Sequence, residues 1–175
     1  MNSKLLQKTI DLEILKLKLS PQNPLMTFPE QEAYVKNHIS YLYNKMNDTN
    51  SSEVAYNASI YIEVWSLYWK LIQGNFEMYK ESKNDRFKKE YLIKVHELHS
   101  YIQSDISNFK RLYNTSKNEV KLQLGLLLVQ LYSLYIDITP HYYQYSSGVH
   151  ISIYTEVLNE LEALKKNLAK DTDSN

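Results

Sequence analysis

The sequence predicts an all-α protein, a single compact bundle of five or six helices. Three observations predict it. Glycine and proline, which interrupt regular elements, are scarce: three and four in 175 residues, with three of the prolines crowded at Pro21, Pro24 and Pro29. Over most of the remaining chain, apolar residues recur every three or four positions. Finally, Thr27 with Glu30 and Ser116 with Glu119 have the spacing of capping boxes, and each pair opens such a periodic stretch.

Residues 3–19 carry two apolar faces, Leu6, Ile10, Ile14 and Leu17 on one and Leu5, Leu12, Leu15 and Leu19 on the other. They read as a first helix, although Leu15–Leu19 also alternates like a strand. The prolines break the chain across 20–29. A second helix starts at the Thr27 cap with Pro29 in its first turn, and Val35, Ile39, Leu42 and Met46 share one face. After a polar loop at 47–52, a third helix carries two apolar rows. One is Val54, Ala58, Tyr61, Trp65, Tyr68, Ile72, Phe76 and Tyr79; the other is Ile60, Val64, Leu67 and Leu71. Two rows predict contacts on two sides, hence a central helix, on the order of 40 Å long at 1.5 Å per residue, with Gly74 expected to bend it or end it early.

Asn84-Asp85 opens a fourth helix, with its stripe running from Phe87 through Tyr91, Val95, Leu98, Ile102, Ile106 and Phe109 to Tyr113. The fifth, expected to open at the Ser116–Glu119 box, is uncharged from Leu122 to Ile136. That run is shorter than the about 20 apolar residues of a bilayer span and contains Gln123, Gln130 and Ser133, so it predicts a buried core helix rather than a membrane span. Pro140 is expected to end it or to start a short new helix. Residues 140–148 read as a tyrosine-rich loop, and a last helix runs from about Ile151 to Leu168. One domain is expected over 1–170, with 171–175 a frayed polar tail.

Composition narrows function mainly by exclusion. The absence of cysteine removes disulfides, thiolate zinc sites and cysteine nucleophiles. Zero net charge provides no global attraction to nucleic acid or anionic lipid. Three glycines cannot build a phosphate-cradling loop, and neither G-x-S-x-G nor H-E-x-x-H occurs. The sequence therefore gives no support for an enzyme and no reason to expect a cofactor. The N-terminal stretch lacks a signal-peptide pattern, and a cytoplasmic location is expected. Asn47, Asn50, Asn57 and Asn114 head Asn-x-Ser/Thr triplets, read as chance in an Asn- and Ser-rich chain.

The reading favoured is a non-enzymatic protein that binds another protein as regulator, adaptor, inhibitor or complex subunit; an accessory protein of a phage or mobile element fits that description. Sixteen tyrosines carry it, since tyrosine buries a ring while offering a hydroxyl to a partner. Tyr142, Tyr143 and Tyr145 in the expected loop are the interaction candidates. Trp69 joins them, because it lies off the main stripe of the third helix and is expected to be exposed. The two apolar rows of that helix also make a homo-oligomer an expectation. One alternative is a nucleic-acid-associated module using Arg86, Lys88, Lys89 and Lys94. Another is a metal-dependent enzyme built on His96 and His99, three residues apart and so on roughly one side of a helix, with the other ligands supplied from elsewhere in space.

Overall fold

A computed structural model describes residues 3–47, 54–80, 85–143 and 151–173. All-α architecture is what it shows: α1 Ser3–Lys18, α2 Phe28–Asn47, α3 Val54–Lys80, α4 Asp85–Thr115, α5 Asn118–Tyr143 and α6 Ile151–Asp173. Among the described residues there is no strand. The chain divides into two compact units, residues 1–91 and 92–175, and the division falls inside α4.

In the first unit α3 packs on both α1 and α2. Both of its predicted rows are buried, from Val54 to Ile72 on one side and from Ile60 to Leu71 on the other, and Ile62 and Trp69 are buried as well. The Thr27 capping box forms as predicted: the Thr27 Oγ1 accepts from the Glu30 N–H, while the Glu30 carboxylate accepts from the Thr27 N–H and hydroxyl. Val35, Leu42 and Met46 of α2 are buried. Of the two faces of α1, the one bearing Leu15 and Leu19 turns inward, each only 2% exposed. A buried glutamine fixes that choice. Gln31 of α2 donates through Nε2 to the carbonyls of Lys18 and Ser20, at 2.8 and 2.7 Å, satisfying two acceptors at the end of α1.

Gly74 neither bends nor ends α3, which continues to Lys80. Its role is close approach. A Cβ at this position would lie 2.6 Å from Cγ and 2.8 Å from Cβ of Pro21, in the turn that links α1 to α2. Phe76 stacks on Tyr91, the last residue of the unit, at 3.9 Å between ring centroids.

In the second unit α5 and α6 pack together. From Leu124 to Thr139, α5 is buried except along a narrow stripe at Leu126, Gln130, Ser133 and Asp137, with Leu126 51% exposed. Its length and composition match those of a membrane span, yet just over half of its apolar window is buried inside the protein. The α4 stripe from Val95 to Tyr113 is buried as predicted, as are Leu161, Leu164 and Leu168 of α6. The second capping box does not form. The Ser116 hydroxyl instead donates to the carbonyl of Leu112 at 2.6 Å, closing α4, and Asn118 takes the left-handed backbone conformation (φ 58°) that starts α5. A carbonyl within reach competes successfully with the distant N3 amide. Nor does α5 stop at Pro140: it runs through that residue to Tyr143. At the chain's end, α6 extends past Lys170 to Asp173.

Tyrosine hydroxyls pin neighbouring helices through carboxylates. Tyr68 of α3 donates to Glu32 of α2 at 2.6 Å, Tyr56 of α3 to Asp11 of α1, and Tyr132 of α5 to Glu160 of α6 at 2.8 Å. Lys110 of α4 adds an ion pair to Glu160 at 3.5 Å.

Two outcomes test this packing. Gly74→Ala lowers the thermal midpoint even though alanine is favoured over glycine in a helix by about 1 kcal/mol, because the stiff Pro21 ring must move. Tyr68→Phe removes the hydroxyl that donates to Glu32 and costs roughly 1.5–3 kcal/mol in urea unfolding, the range for a hydrogen bond to a charged group.

Candidate functional site

Of the residues singled out by the sequence, His96, His99 and Tyr142 come together in the second unit. Trp69 is 6% exposed, so the expectation of an exposed aromatic is wrong. It fails because α3 is covered over more of its circumference than two rows require. Tyr142 lies in the last turn of α5 rather than in a loop, Tyr143 closes that helix, and Tyr145 lies outside the described residues.

His96 and His99 share one side of α4, as their spacing predicts, but their surroundings differ. His96 is exposed, whereas His99 is 4% exposed. The His99 ring lies between two aromatic rings of α5, Tyr142 at 4.3 Å and 7° and Tyr135 at 4.5 Å and 29°. His96 stacks on the same Tyr142 at 5.2 Å. The Thr139 hydroxyl donates its proton to the Tyr135 carbonyl at 2.6 Å, so its oxygen accepts from His99 Nε2–H at 3.3 Å. This assigns the Nε2–H tautomer to His99. Burial, with His96 beside it, pushes the His99 imidazole down to about 4. The ring is thus a neutral core element. Among the described residues no three His, Asp or Glu side chains gather where they would share a metal ion.

Of the basic residues, Arg86, Lys88 and Lys89 are exposed and Lys94 is half-buried. Arg86 pairs with Glu90 at 3.3 Å. At 100° per residue Lys88 projects roughly 200° around α4 from Arg86, so these charges do not form one ridge.

Two features of the first unit escaped the sequence reading. One is the outer face of α1, where Leu6, Ile10, Ile14 and Leu17 are 49, 43, 43 and 71% exposed. The sequence shows both faces of this helix but not which one is covered. The other is a half-open cleft of about 550 Å³ between α1, α2 and α3. Along α2, the rings of Tyr34, His38 and Tyr41 follow one another at 5.6 and 6.4 Å between centroids. On the α1 side, Asp11 accepts from Tyr56 at Oδ2 (2.5 Å) and from Gln7 at Oδ1 (2.9 Å). Burial lowers the pKa of His38 and raises that of Tyr34, and burial with the Asp11 bond pushes Tyr56 up to about 12. Lys45 lines the cleft, 5.5 Å over the Tyr41 ring, and Lys18 sits 4.7 Å over Tyr34. Asn57 also lines it. That residue is 6% exposed, which removes it as a glycosylation acceptor, and its Nδ2 has no hydrogen-bond partner.

Compared with protein-family models, curated proteins and solved structures, the chain matches none.

The buried imidazole gives a pH signature. His99 titrates near 4 folded and near 6.5 unfolded, so between those values the unfolded chain binds more protons. Its contribution to stability is therefore complete above about 6.5 and is lost as pH falls towards 4. Urea midpoints of the wild type and His99→Phe, which keeps the ring stack, converge or cross as pH drops through this window, the variant showing the shallower slope.

Proposed function

We propose that this protein acts by binding another protein, as a regulator, adaptor, inhibitor or subunit of a complex, through the outer face of α1. The supporting observation is the row of four aliphatic side chains, Leu6, Ile10, Ile14 and Leu17, standing 43–71% exposed on the side of α1 away from Leu15 and Leu19. Isolated exposed leucines need no explanation, but a contiguous helical row costs solubility and is the usual form of a helix-mediated contact. Tyr41 of α2, 57% exposed, adds aromatic surface in the same unit. The basic residues of α4 offer no comparable ridge, and the neutral, ring-sandwiched His99 offers no open coordination position.

The test compares wild type with an Ile10→Glu/Leu17→Glu double variant. Both side chains are exposed, so helicity and thermal midpoint stay near those of the wild type. Affinity capture from a lysate of the native source, treated with nuclease and read by mass spectrometry, is expected to return one discrete partner with the wild type and to lose it with the variant. Equal recovery with both proteins, or recovery of nucleic acid alone, overturns the proposal.

A further inference from the structure

The cleft of the first unit carries a second, independent inference. Its volume of about 550 Å³ falls within the roughly 300–1,000 Å³ typical of small-molecule sites. Its lining is specific in chemistry. The rings of Tyr34, His38 and Tyr41 form an aromatic wall along α2. Asn57 presents an amide N–H group that is buried without an acceptor. Such a group has lost its water without compensation unless an acceptor reaches it. Asp11, although it accepts from Tyr56 and Gln7, retains acceptor capacity, because a carboxylate offers about four lone-pair sites.

Charge selects among ligands. Asp11 and Lys45, of opposite charge, both line the cleft, and the Lys18 ammonium lies over the Tyr34 ring. An organic cation would meet aromatic faces already approached by two ammonium groups. A phosphate would meet the Asp11 carboxylate. A neutral ring suffers neither repulsion, and a ring carbonyl beside an N–H matches the Asn57 donor and the Asp11 acceptor together.

We propose that the cleft between α1, α2 and α3 binds a small neutral heteroaromatic compound bearing a ring carbonyl or carboxamide, of the nucleobase or nicotinamide type, with its acceptor on Asn57 and its N–H on Asp11. The cleft shares Ile14 and Tyr41 with the surface proposed above, but Ile10 and Leu17, the two positions of the double variant, do not line it, so the two readings fail separately.

The experiment is a titration of the full chain, labelled with nitrogen-15, with uridine, inosine and nicotinamide, followed by amide chemical shifts; tetramethylammonium and inorganic phosphate serve as charged controls. Saturable shifts with at least one neutral probe, centred on Asp11, His38 and Asn57, are expected, and neither control should reproduce them. Asn57→Leu, nearly isosteric and relieved of its buried amide, remains folded and loses about tenfold in affinity, the worth of one hydrogen bond. Asp11→Asn keeps the side-chain volume and is also expected to weaken binding. The proposal is overturned if no neutral probe gives saturable shifts, if either charged probe binds more tightly, or if Asn57→Leu binds as well as wild type.

Discussion

Two helices that are apolar nearly all the way round set the terms for each unit. A helix with one apolar stripe is satisfied by a single neighbour; α3 and α5 are not, and each must be covered on more than one side. In the first unit α1 and α2 both pack against α3. In the second, α5 buries residues from Leu124 to Thr139 and takes α6 as its partner. Covering such helices brings tyrosines into the interior, and a buried hydroxyl needs an acceptor. Glu32, Asp11 and Glu160 supply them from adjacent helices, so the polar ends of tyrosines fix which helix faces which.

This accounts for much of the tyrosine excess without a partner. Tyr61 and Tyr68 pack in the first unit, and Tyr113, Tyr132 and Tyr135 in the second, all of them buried. The same economy governs His99, whose faces are occupied by Tyr135 and Tyr142 and whose proton is committed to Thr139. The aromatic and ionisable residues most noticeable in the sequence are therefore largely structural, and the less conspicuous Asp11, His38 and Asn57 line the open space.

Glycine and proline illustrate how local signals mislead. Gly74 looks like a helix break but is a contact point for the Pro21 turn. Pro140 looks like a helix end, yet the last turn beyond it holds Tyr142 against His99. In both places a tertiary contact outweighs a local preference of about 1–3 kcal/mol.

The sequence alone determined the all-α class, the approximate extent of every helix and most of the buried stripes, because scarce breakers and a period of three to four residues act locally and depend on no other part of the chain. It also located the Thr27 cap, whose partner is three residues away. Which face of α1 is covered was decided only in three dimensions: both faces are apolar, and Gln31, on another helix, anchors the end that turns Leu15 and Leu19 inward. The burial of Trp69 and His99 and the convergence of Asp11, Tyr56 and Asn57 belong to the same class. Each depends on residues far apart in the chain, and no local pattern encodes which distant side chain will complete a contact.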